Sequence, residues 1–184
     1  MRAEPQAQVP AAKNGVRLEH AVAVTDKLLT KNLAKSDRLE LEKLKNITHH
    51  ICTTRFQHCL NVAYYSYKIC RIFHLDARSA ARAGLMHDLF YYDRKKYNAE
   101  KSKNDPNHSR KHSDVALHNA ELLTDINPME RDIIQKHMFP MTLSIPKYKE
   151  TYIITFVDKY CAILEFCVPK VQQIINIRRI SNEN

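Results

Sequence analysis

Two glycines, Gly15 and Gly84, serve all 184 residues of this chain. Tight hairpins draw on glycine for backbone angles that other residues resist, so a β-rich fold has too few turn residues to work with. A glycine-rich loop able to cradle a nucleotide's phosphates is excluded on the same count. What remains is an all-α chain, and apolar residues do recur on helical spacing along most of it. The length suits one substantial core. We expect a single domain over 18–184, preceded by a mobile tail over 1–17, where prolines and small polar residues collect.

The helices can be placed from their punctuation. A short one is expected from about Leu18 to Thr30, and a second from a cap near Asp37, carrying Leu39, Leu41, Leu44 and Ile47. A broad stripe of Phe56, Cys59, Leu60, Ala63, Tyr67, Ile69, Cys70 and Phe73 predicts a helix over 54–73. Asp76 caps the next, which runs to Leu89. The polar stretch from Tyr91 to Arg110 reads as a long loop, a kind that is often functional. Helices follow over about Ser113–Leu123, from Asn127-Pro128 to His137, and from Lys149 to Phe166. Pro169 is expected to end that last helix before a short C-terminal one holding Val171, Ile174, Ile175 and Ile177.

Set into these helices are groups that chemistry needs and burial penalises. Asp158 sits within Phe-Val-Asp-Lys-Tyr-Cys, where an unpaired carboxylate would cost several kcal/mol. A cation must offset that cost, either a bound ion or an arginine from another helix. His87 and Asp88 lie side by side in Ala-Gly-Leu-Met-His-Asp-Leu-Phe. Consecutive helical residues diverge by about 100°, so the two reach one ion only near a helix end or between helices. His58 lies near the inner edge of its helix and is either a ligand or a hydrogen-bonded core histidine. His112 and His137 fall at helix ends, with His108 and His118 as rivals in the same region. Imidazoles and carboxylates of this kind are ligands for divalent cations. Arg55, one turn before His58, is either a forked clamp for an anion or a surface ion-pair residue.

A net charge of +9 favours anionic partners. The basic residues are scattered rather than gathered into an arm, so a small anionic substrate is expected and nucleic acid is not favoured. Five cysteines with no Cys-x-x-Cys spacing read as reduced core residues of a cytoplasmic protein. The N-terminus has no apolar signal region, and no stretch is apolar for long enough to cross a membrane.

The ordered set His58, His87-Asp88 and Asp158 on successive helices resembles the signature of the HD superfamily of metal-dependent phosphohydrolases. Arg55-x-x-His58, Gly84-Leu-x-His87-Asp88 and Val157-Asp158-Lys159 are each similar to that family's local sequences, and the likeness spans about residues 50–168. The resemblance implies an HD-type helical bundle of about six to eight helices. It implies His58, His87, Asp88 and Asp158 on a first metal, with His112 and His137 on a second and Asp88 bridging. The metal would be Fe, Mn, Zn, Co, Ni or Mg. Met-Phe-Pro after His137 departs from the HD-GYP branch, and the added histidines depart from the single-metal 5′-nucleotidases. Short bacterial HD proteins that split dinucleoside tetraphosphates are similar in length and layout. The implied activity is hydrolysis of a phosphate ester or anhydride, with Asp88, Arg55 and Lys159 in catalytic roles. Certain HD proteins instead use the same six-ligand pattern as diiron oxygenases, and a third possibility is a metal-binding protein without catalysis.

Overall fold

A computed structural model describes residues 35–49 and 53–182 of the chain. The tail over 1–17, the short helix expected over Leu18–Thr30, and Cys52 lie outside the described residues. The architecture is all-α. Its helices are α1 (Lys35–Glu42), α2 (Arg55–Ile72), α3 (Ala77–Met86), α4 (Arg94–Glu100), α5 (His108–Leu123), α6 (Pro128–Lys136) and α7 (Lys149–Asn182). A 3-10 turn follows α1 over Lys43–Asn46. The only extended pairing among the described residues is a two-residue antiparallel ladder that pairs Thr48 with Thr54 and His49 with Thr53.

The core is built around α2 and α3, which pack on each other, with α7 across α2 and α6 across α3. Cys59, Val62, Ala63, Ala80, Ala83, Leu89, Ile133, Ile134 and Ile154 are buried in it. α3 is rich in small buried residues, among them Ala77, Ala80, Ala81, Ala83 and Gly84. Gly84 makes a close approach to α2 possible, since a Cβ there would stand 3.0 Å from the Ala63 Cα. This is packing freedom for a neighbour rather than unusual backbone geometry.

Capping sets the helix ends. The Thr54 hydroxyl accepts from the Gln57 amide at the start of α2. At its other end the Leu75 amide donates to the Cys70 carbonyl and the His74 amide to Arg71, with His74 at φ 54°. That paired arrangement is the Schellman stop, here carrying histidine where glycine is usual. Asp76 caps α3 through the Ser79 amide. Asn127 and Glu130 form a reciprocal capping box on α6, which has Pro128 in its first turn. The start of α7 is held from another helix: Asp132 Oδ2 accepts from the Lys147 amide at 2.9 Å and the Thr151 hydroxyl at 2.7 Å.

Several expectations change. Asp37 lies inside α1 rather than capping it, α3 stops at Met86 rather than Leu89, and Phe73 is exposed. Leu39 is 56% exposed while Leu41 and Leu44 are buried, because two residues along a helix is a turn of about 200° to the far side. The polar stretch 91–110 is not all loop. It contains α4, capped by Asp93 through the Lys96 amide, and α5 begins at His108 rather than Ser113. A seven-residue helix with almost no buried face leaves no apolar period to read. Pro169 does not end α7, which continues to Asn182. The missing proline N–H removes one rung of the ladder, and the remaining bonds carry the helix on. Cys59, Cys70 and Cys161 are buried thiols as expected, whereas Cys167 is exposed. No helix among the described residues is long and apolar enough to cross a membrane.

Candidate metal centre

α3 stops at Met86, so His87 is its C-cap and Asp88 lies just beyond. That ending lets two adjacent side chains approach one region. α2 contributes His58 from its first turn and α7 contributes Asp158. His112 comes from the second turn of α5, and His137 is the C-cap of α6. All six predicted ligands come together. His58 Nε2 is 2.9 Å from Asp158 Oδ1, and His87 Nε2 is 3.6 Å from the same oxygen. His112 Nε2 and His137 Nε2 lie 3.4 and 3.8 Å from Asp88 Oδ1. Two groups have ligand atoms within 4.8 Å of one another: His58, His87 and Asp88, and Asp88, His112 and His137. Asp88 is common to both. The His87 ring stands between them, its centroid 5.4 Å from His58 and 4.9 Å from His137.

The hydrogen bonds on the far sides of these rings define which nitrogen is bare. His87 Nδ1 donates to the Gly84 carbonyl at 2.7 Å, His112 Nδ1 to His108 at 2.9 Å, and His137 Nδ1 to Ile134 at 2.8 Å. A carbonyl only accepts, so each Nδ1 carries a proton, and the nitrogen left for a metal is Nε2. His87 Nε2 is buried without a hydrogen-bond partner. His112 Nε2 and His137 Nε2 face each other at 2.9 Å. Two lone pairs at that distance repel unless a proton or a cation lies between them. Orienting a ligand histidine by a bond from its other nitrogen is the usual support in metal sites. The donor set therefore fits a divalent cation, in one site or two.

The charges follow the same geometry. Burial alone would lower the His58 pKa, but its bonds to Asp158 and Glu165 outweigh it and push it up to about 10. The His87 pKa is likewise raised against burial, chiefly by the Asp88 charge and the Asp158 carboxylate. Those two imidazoles hold Asp158 well below the usual carboxylate range although burial opposes it. His137 is pushed down to about 3 by burial and by the neighbouring His87 and His112. The His58–His87–Asp158 group thus favours positive charge, whereas His137 is held neutral.

Arg55 is buried, not a surface ion-pair residue. Its Nη1 donates to the Phe90 carbonyl at 2.6 Å, and its guanidinium lies over the Phe90 ring, 3.7 Å from the centroid. Burial lowers its pKa, and the Asp88 charge opposes that. Lys159 directs its ammonium to the carbonyls of His137 and Thr155, at 3.2 and 3.3 Å. Of the rivals, His118 is exposed on α5, and His108 stacks on His112 while its Nδ1 meets the Tyr92 hydroxyl. Tyr92, Tyr97, Phe90 and His108 form an aromatic group beside the cluster.

Two residues of the site escape a reading by motif. Glu165 Oε2 is 3.0 Å from His58 Nδ1, and Asn61 Nδ2 donates to Glu165 Oε1 at 3.1 Å. A signal for Glu165 does exist, because seven residues after Asp158 is close to two helical turns and so the same face of α7. Asn61 follows His58 by one turn on the same argument.

An all-helical domain that gathers four histidines and two aspartates from five helices defines a class of metal-binding α-domain. A family model described as "HD domain" matches residues 55–163 of this chain, more than half of its length. The chain belongs to the HD domain family. Searches of curated proteins and of solved structures returned no match.

Proposed function

We propose that this protein is a metal-dependent phosphohydrolase acting on a phosphate ester or anhydride, with a nucleotide or a related phosphorylated metabolite as substrate. The observation that carries this reading is the position of Asp88, common to two histidine groups and close enough to the buried Arg55 to act on its charge. His58, His87, Asp88 and Asp158 would hold a first cation, and Asp88, His112 and His137 a second. A bound divalent cation supplies hydroxide near neutral pH, by lowering the pKa of a coordinated water, and neutralises phosphoryl charge.

The chain's own residues supply the rest. Three Nδ1–H bonds to carbonyls keep His87, His112 and His137 in the tautomer that offers Nε2. Arg55 keeps its guanidinium fixed by Phe90 and brings a permanent positive charge beside Asp88, suited to an anionic substrate oxygen. Lys159 holds the backbone of His137 and adds positive field from there. The net charge of +9 favours arrival of an anion.

The experiment is metal analysis of the purified protein, followed by phosphate release from a nucleotide panel with Fe, Mn, Co, Ni, Zn or Mg, run with and without oxygen. Oxygen-independent phosphate release that Asp88→Asn abolishes is the expected result. Turnover that stops without oxygen would replace hydrolysis by oxidation. Bound metal with no turnover of any tested phosphate would leave a binding protein.

A further inference from the structure

The two halves of the cluster are not built alike, and the difference lies behind the ligands. Three of the four imidazoles lean on a neutral acceptor, a backbone carbonyl three or four residues earlier. His58 alone leans on a carboxylate, Glu165, which reaches it from 107 positions away. Glu165 is itself held in place. Asn61 donates to its other oxygen, and Asn61 in turn accepts from Gln57 Nε2 at 3.0 Å. The Glu165 side chain is only 9% exposed and that of His58 1%, so little water competes for the bond.

A hydrogen bond to an ionised partner is about twice as strong as one between neutral groups. Through the ring it makes His58 Nε2 a better electron donor, and Nε2 is the nitrogen turned toward Asp158. Counting carboxylates gives the same asymmetry. The His58–His87 half has Asp158, the shared Asp88 and Glu165 behind it, whereas among the described residues the carboxylate within 4 Å of His112 and His137 is Asp88 alone. A dication is drawn more strongly to the first half.

We propose that Glu165 is a positioning residue that acts through His58 to make the His58–His87–Asp158 half the tighter of two unequal cation sites, so that this half fills first. The inference rests on reading the cluster as a metal centre. Its test is calorimetric titration of the chelator-treated full-length protein with Mn²⁺, alongside thermal melts of the metal-free forms. Wild type should bind in two steps. Glu165→Gln, which keeps the shape and removes the charge, should weaken the tight step by about 10–100-fold, as other supporting partners of ligand histidines do. The weak step and the metal-free melting temperature should hardly move. Asn61→Ser, which leaves the carboxylate but not its amide support, should weaken the same step by less, and serves if Glu165→Gln does not fold.

The outcomes separate. No Mn²⁺ binding by wild type would remove the metal-centre reading and the inference with it. Two steps in wild type that Glu165→Gln leaves unchanged, or weakens equally, would overturn the inference while the metal centre stands. Two equal sites in wild type would overturn it as well.

Discussion

Asp132 shows how much one side chain can hold together. Its Oδ2 accepts from the Lys147 amide, the Tyr148 amide and the Thr151 hydroxyl, while Oδ1 pairs with Lys136 at 2.6 Å. It therefore joins α6 to the start of α7, the helix that carries Asp158 and Glu165. Burial opposes its ionisation, but Lys136, the Lys147 amide and Thr151 outweigh that and lower its pKa. A carboxylate with a lower pKa folded than unfolded adds stability above the unfolded value of about 3.9, and loses it as pH falls through the folded value. Asp132→Asn should therefore lower stability at pH 7 by about 2–3 kcal/mol, the scale of hydrogen bonds to a charged group. The variant should also lose less than wild type on acidification, so that urea midpoints of the two converge toward pH 3. Parallel curves across that range would remove this role. The local sequence offers only its i,i+4 pairing with Lys136, because the partners that reach α7 lie 15 to 19 positions away. Asp158 was legible because its own neighbours are apolar, whereas Glu165 has to be found by counting turns from it.

At the scale of elements, the α2–α3 pair fixes where His58 and His87 can meet. Gly84→Ala would place a methyl 3.0 Å from the Ala63 Cα and 3.2 Å from its nitrogen, and backbone cannot swing aside as a long side chain would. Overpacking of this kind costs about 1–3 kcal/mol, partly offset by about 1 kcal/mol from the better helix propensity of alanine. We expect a net loss of about 1–2 kcal/mol in denaturant melts. Metal affinity should fall too, because the Gly84 carbonyl orients His87. An unchanged melt would mean that the helices yield freely. The stop of α2 predicts the opposite sign. His74 occupies a left-handed conformation at φ 54°, which costs a residue with a side chain about 1–2 kcal/mol and glycine almost nothing. After the greater unfolded-state freedom of glycine is subtracted, His74→Gly should stabilise by about 0.5–1 kcal/mol in the same measurement. The starts of α2 and α3 were visible near Thr54 and Asp76, whose side chains bond within three residues. α4 was not, since a short solvated helix carries no stripe, and the continuation of α7 through Pro169 ran against the local rule.

For the whole molecule, the cluster ties together α2, α5, α6, α7 and the end of α3, so a cation held there would bind the folded chain and not the unfolded one. Excess metal at about 100 times its dissociation constant should add about 2.7 kcal/mol. For a chain of this size that is a rise in Tm of about 5–10 °C over the chelator-treated form. A Tm indifferent to chelator and to added Mn²⁺ would count against a cation at this position. What the sequence determined by itself was the all-α class, through the scarcity of glycine and the helical spacing of apolar residues, and the set of side chains able to bind a cation. These are properties of composition and local order, which short windows of chain contain. Only the tertiary structure decided that the Nε2 atoms of four histidines converge, that Asp88 belongs to both halves, that Arg55 is buried against Phe90, and that Glu165 rather than a carbonyl stands behind His58. Each of those depends on distances between residues 24 to 107 positions apart in the chain, and packing sets such distances where local spacing cannot.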